Sequence, residues 1–143
     1  KTLEAGRKDS VSIDMLSNRP AGGFATVPAV QAMFDQIVCT RLVLQTSLNA
    51  VNGATSGADL ADKTFFTSVI SNLSGVTYTT MNGQPVADIL TQLNTTNGAF
   101  AALSAAGKTA ALNALVAGGD YASWSLMGAA FYNAILAQTN LES

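Results

Sequence analysis

The sequence predicts an all-α fold: about five helices around a central helix over residues 28–51, with an extended N-terminal arm and one or two short β-strands. Three observations predict it. Residues 28–51 carry an apolar stripe at helical spacing, a second run over 121–137 is free of charge, and Gly, Pro and Asn-Gly punctuation cuts the remainder into helix-length pieces. At 143 residues and 14.7 kDa the chain is long enough for one domain with its own core. We divide it into an arm, 1–26, and a helical domain, 27–143.

The arm holds seven of the sixteen charged residues. Within it Val11, Ile13 and Met15 alternate with Ser12 and Asp14, the period of a strand, and residues 19–23 (RPAGG) read as a break. Such a strand on a tether can add to a neighbour's sheet edge or lie across a neighbouring subunit, or the arm can fold back on its own domain. On the first two readings Val11, Ile13 and Met15 are candidate interface residues, and removing residues 1–26 is expected to abolish assembly while helical content survives.

The central helix opens at Val27-Pro28, because proline's fixed φ and missing N–H suit the first turn. Val30, Met33, Phe34, Ile37, Leu44, Leu48 and Val51 fall in one sector. Val38, Cys39, Leu42 and Val43 lie outside it, so the middle of the helix is expected to be buried on nearly every side. Asn52-Gly53 supplies an expected left-handed stop. Arg41 interrupts the stripe: its stem can lie on the core while its head meets a carboxylate or carbonyl, or it can form an intersubunit ion pair.

Asp59 and Asp62 stand in the first turn of the next expected helix, which runs to about Leu73; acids there complement the helix dipole, which accounts for them without catalysis. Residues 76–81 (VTYTTM) are β-branched and aromatic and form the clearest strand, with Tyr78 a candidate interface residue. Asn82-Gly83 has hairpin chemistry, but Pro85 argues against a returning strand, so the strand is expected to pair with 11–15 or with another chain. A helix is expected from Pro85 to about Asn94, then pieces over 99–106 and 108–117 separated by Gly107, and a last helix from Asp120 to about Gln138. The uncharged run 121–137 is short of a membrane span and carries Ser123, Ser125 and Asn133, so a buried helix is expected rather than a membrane.

Charged residues make up only 11% of the chain, and no Glu occurs between Glu4 and Glu142. Solvated helix faces are normally rich in Glu and Lys, and interfaces lose both. A net charge of −2 with no basic patch excludes an electrostatic footprint for nucleic acid. With no histidine and one cysteine, Cys39, the chain lacks the usual general bases and nucleophile pairs and cannot build a zinc or iron–sulfur site. Gly107-Lys108-Thr109 matches only the end of a phosphate loop: Ala102 stands where the first glycine belongs, and the context is helical. The chain begins with Lys1, as expected of a processed, trimmed or partly numbered product.

The texture, Ala, Thr, Asn and Gly in place of charge beside an extended arm, resembles that of virion components and other assembled surface proteins. The expected function is a non-enzymatic structural or assembly subunit without a cofactor. A phage decoration, connector or head–tail protein is an example, partnered by copies of itself or other particle proteins in a virion or extracellular assembly. The alternative is a monomeric helical module enclosing an apolar small ligand, for which an internal cavity of several hundred Å³ is the structural mark.

Overall fold

The computed structural model describes residues 5–143 and shows an all-α fold with one small two-stranded sheet. In chain order it comprises α1 (Ala5–Ser17), α2 (Val27–Gly53), a 3₁₀ turn (Gly57–Leu60), α3 (Thr64–Ser74), β1 (Thr80–Met81), β2 (Gln84–Pro85), α4 (Val86–Ala101), α5 (Ala105–Ala117) and α6 (Trp124–Glu142).

The first correction concerns residues 5–17, which are helical and not an extended strand. Their burial has the helical period. Val11 and Asp14 are buried and Arg7, Ser10, Met15 and Asn18 partly so, while Ser12, Ile13, Leu16 and Ser17 face out. Four of these six inward positions, Arg7, Ser10, Asp14 and Asn18, are polar, which disguises the stripe as strand alternation. The hydroxyls of Ser10 and Ser12 turn back to the carbonyls of Gly6 and Lys8, so they do not compete with the helix for solvent.

Helix α2 starts as expected. Thr26 Oγ1 accepts from Ala29 N at 3.2 Å, and Pro28 lies in the first turn. Its end differs: Gly53 stays helical, the chain leaves through an extended Ala54, and Asn52 clamps the backbone of Tyr121 through both ends of its amide, at 2.8 and 2.9 Å. The helix is also buried on one face only. That face mixes Ile37, Leu44, Leu48 and Val51 with Thr40, Arg41, Gln45 and Ser47, and it begins only at Ile37; of the first ten residues only Met33 packs against the core.

Asp59 and Asp62 do not share the first turn of one helix: Asp59 lies in the 3₁₀ turn and Asp62 precedes α3, which starts at Thr64, although each accepts from backbone N–H groups there. Asp59 Oδ2 accepts from Thr55 N (2.9 Å) and Ser56 N (3.3 Å), and Asp62 Oδ1 from Thr64 N (3.0 Å). These backbone donors hold both carboxyls below the ordinary aspartate range.

The second correction is the hairpin. Residues 82–83 do form its turn, with Asn82 at φ 53° and Gly83 at φ 75°, and Thr80 pairs with Pro85 and Met81 with Gln84. Pro85 is tolerated because it is the last residue of the return: the next donor, Val86 N, reaches Thr79 O at 2.8 Å as α4 begins. The strand therefore pairs locally. Further on, Asn97-Gly98 does not separate two helices, since α4 continues to Ala101. Ser104 caps α5 through Gly107 N, which puts Gly107 in a first turn rather than at a break, and Ser123, not Asp120, caps α6 through Leu126 N.

Phe131 on α6 is the centre of the core. It meets Phe65 and Phe66 of α3 edge-on at 5.3 and 5.2 Å and Phe100 of α4 at 5.5 Å. Ile37, Leu48, Val69, Leu115, Met127 and Ile135 complete the packing, so α2, α3, α4, α5 and α6 share one interior.

Candidate functional site

Three features are built on this frame: a polar seam, a cleft and an apolar overhang. The seam lies between α1, α2 and the hairpin. Arg41 donates to Asp14 Oδ2 through Nε (3.0 Å) and Nη2 (2.5 Å), and Nη2 also reaches Asn82 Oδ1 at 2.7 Å. Asp14 Oδ1 accepts from Asn82 N at 3.1 Å. With Asp14 and Arg41 only 1% and 6% exposed in their side chains, both carboxylate oxygens are paired away from water. One turn along α1, Asn18 Oδ1 accepts from Thr79 N and Thr80 N, and its Nδ2 donates to Thr80 O at 2.6 Å. The Tyr78 hydroxyl donates to Thr40 Oγ1 at 2.6 Å, and burial pushes that phenol above its ordinary value of 10.0. On the other side Gln36 Oε1 accepts from Thr77 N at 2.8 Å.

Every link in this seam joins residues of one chain. Of the five residues expected at an interface, Val11, Arg41 and Tyr78 are buried inside the molecule and Met15 is partly buried against its core. Only Ile13 is well exposed. Arg41 meets an own-chain carboxylate, the first of its two expected roles. Its partners Asp14 and Asn82 leave no local pattern in the sequence, since they lie twenty-seven and forty-one positions away.

The cleft, of about 910 Å³, is lined by the first half of α4, the first half of α6, the hairpin and the start of α1. Its apolar surface comes from Leu44, Phe66, Met81, Ile89, Leu93 and Trp124, and its polar groups include Asp88, Gln92, Tyr132 and Asn133. The ring of Trp124 stacks on Phe66 (6.1 Å, 18°), and its Nε1 is buried with no hydrogen-bond partner among the described residues. No group of three or more metal-ligating side chains comes together among the described residues.

The overhang is the stretch from the α1–α2 loop through the first third of α2. Residues 20–34 contain no charged side chain, and most are exposed. Val27, Val30 and Phe34, at i, i+3 and i+7, form one apolar stripe that the core does not cover, with Val27 82% exposed. The end of α1 also exposes Leu16, at 73%, and Ile13. The sequence puts Val30 and Phe34 in one sector with Ile37, Leu44, Leu48 and Val51; the core covers the later four and leaves Val30 and Phe34 exposed.

No protein-family model, no curated protein and no solved structure matches the chain.

Proposed function

We propose that this chain is a non-enzymatic assembly subunit that binds further copies of itself, or other proteins of a larger particle, through the overhang. One observation carries the reading: an uncharged stretch, residues 20–34, exposes Val27, Val30 and Phe34 along one face of α2. Soluble monomers rarely expose a contiguous apolar patch of this kind unless it meets a partner. Only Arg19 and Asp35 flank it, and loss of Lys and Glu is the composition of an interface centre. A phage decoration, connector or head–tail protein, in a virion or extracellular assembly, fits this chemistry.

The patch also shapes the membrane question. Helix α2, with 27 residues and a mean hydropathy of 1.2, has the length and composition of a span. Only its first ten residues, however, are without a buried side chain, about 15 Å of helix against a hydrocarbon layer of about 30 Å, and from Ile37 on one face packs into the core. The remainder carries Arg41 paired inside the protein. A protein partner fits this better than a bilayer.

Amide hydrogen exchange tests the reading. Residues 27–36 should exchange more slowly in concentrated than in dilute solution, while the amides of α5 do not change. Exchange at 27–36 that is independent of concentration would count against self-association.

A second reading, the monomeric ligand-binding module, is favoured by the cleft, whose size is that of a small-molecule site. Its polar lining suits a hydrogen-bonding ligand better than a purely apolar one.

A further inference from the structure

We propose that Asn82, in the turn of the hairpin, is a site of spontaneous covalent modification in the folded chain, where its side-chain amide is lost through a cyclic imide formed with Gly83. The proposal concerns the polar seam and stands apart from the contact readings above.

The backbone nitrogen that follows an asparagine attacks the side-chain Cγ. Here the bond from Gly83 N to Asn82 Cγ forms, the bond from Cγ to Nδ2 breaks, and the Gly83 proton leaves with that nitrogen as ammonia. Water then opens the imide at either carbonyl and leaves aspartate or isoaspartate at position 82, with no change of oxidation state. Glycine in the second place favours ring closure, because it sets no side chain beside the attacking nitrogen. Three Asn-Gly pairs occur in the chain, at 52–53, 82–83 and 97–98, so local chemistry does not separate them. The fold does.

Two of the pairs are locked in helices. Gly53 ends α2 and Gly98 lies inside α4, and helical geometry directs each N–H to a carbonyl four residues back. The Asn52 amide is also held at both ends by the backbone of Tyr121. Asn97 follows buried Thr96 and precedes buried Phe100 on its helix, so freeing that pair means opening the core.

The pair at 82–83 is held only from the side. Residues 82–85 are exposed, and Gly83 N and Asn82 Nδ2 have no hydrogen-bond partner among the described residues. The left-handed conformation of Asn82, φ 53°, turns the Gly83 nitrogen away from the side chain, so the ring closes only when the turn opens. Opening breaks the bonds of Asn82 to Asp14 and Arg41 and a ladder of two residues on each strand, and of residues 81–85 only Met81 is buried. The seam is therefore a gate, and the folded rate is the open fraction of the turn multiplied by the rate of a free pair. Both products alter the seam. Aspartate sets a second carboxylate against Arg41 beside Asp14, and isoaspartate adds a backbone carbon to the turn, which takes Met81 and Gln84 out of register.

The full chain, folded and in concentrated guanidinium chloride, is incubated in mildly alkaline heavy-oxygen water and mapped by mass spectrometry of its peptides. In denaturant the three pairs should convert at similar rates. In the folded chain Asn82 should convert more slowly than in denaturant but about tenfold or more faster than Asn52 and Asn97, a difference of about 1.4 kcal/mol in opening. Its product should carry one oxygen from the water. Asn18→Ala removes the acceptor of Thr79 N and Thr80 N, and should speed conversion at Asn82 about tenfold while leaving Asn52 and Asn97 unchanged. The comparison of three sites in the unaltered chain stands even if that variant folds poorly. Equal folded rates at the three sites, a folded rate at Asn82 equal to that in denaturant, or a rate that Asn18→Ala does not move overturns the proposal.

Discussion

Asp14 and Arg41 are buried charges, and buried charges are costly unless each is fully paired. Here the pairing is complete on the carboxylate: two donors from Arg41 on one oxygen and the Asn82 amide on the other. Removing one partner strands the other, so Asp14→Ala or Arg41→Ala should cost about 3–5 kcal/mol in thermal or denaturant unfolding. The double replacement Asp14→Leu with Arg41→Met should cost much less than the sum, because no charge remains buried; equal and additive losses would contradict this account. The same pair explains why deleting residues 1–26 is a poor assay of assembly: it removes Asp14 and leaves Arg41 unpaired in the core. Tyr78 gives a test in pH. Its folded pKa is raised above 10.0 by burial, so its contribution to stability is complete below the unfolded value and is lost as pH rises through the folded one. Tyr78→Phe should therefore flatten the alkaline fall in stability above about pH 10, and unchanged steepness would remove Tyr78 as its source.

At the scale of elements, the hairpin depends on side chains of α1 and α2 more than on its own ladder, which pairs only two residues on each strand. Asn18 meets two backbone N–H groups and one carbonyl of that segment, so Asn18→Ala should destabilise by about 1–3 kcal/mol. It should also speed amide exchange at 79–82 ahead of the rest of the molecule; uniform loss of protection would show that the hairpin is not a separate unit. A further contact is backbone-close. Gly57 donates to Asn113 Oδ1 at 2.8 Å, and a Cβ there would come within 2.7 Å of Asn113 N, so Gly57→Ala should cost about 1–3 kcal/mol and loosen the 3₁₀ turn from α5. These elements also show what could be read in advance. The central helix and the last helix were legible because Pro28 and the apolar run after Tyr121 are local signals, whereas Asp59 and Asp62 do not mark one helix start, since the 3₁₀ turn and α3 are separate pieces. Helix α1 was not legible, because its inward face is made of Asp14 and Asn18, whose partners lie far along the chain. Asn82-Gly83 marks the hairpin turn, and Pro85 does not forbid the return because the strand ends at that residue.

Across the whole molecule, polar and apolar groups are placed unevenly. The charged pair sits inside, while Val27, Val30 and Phe34 face out from a stretch with no charge. The cleft was not legible either, since Asp88, Gln92, Tyr132 and Asn133 come together only when α4 and α6 pack on Phe131. The central claim is that the uncharged overhang is a contact surface for further copies of the chain. The most direct measurement is mass in solution by light scattering on the full chain and on the Val30→Lys, Phe34→Lys double variant, both of which keep the core residues untouched. The account predicts a mass well above 14.7 kDa for the full chain and a well-folded monomer for the variant. A full chain that is already monomeric, or an oligomer that the two lysines leave intact, would contradict it.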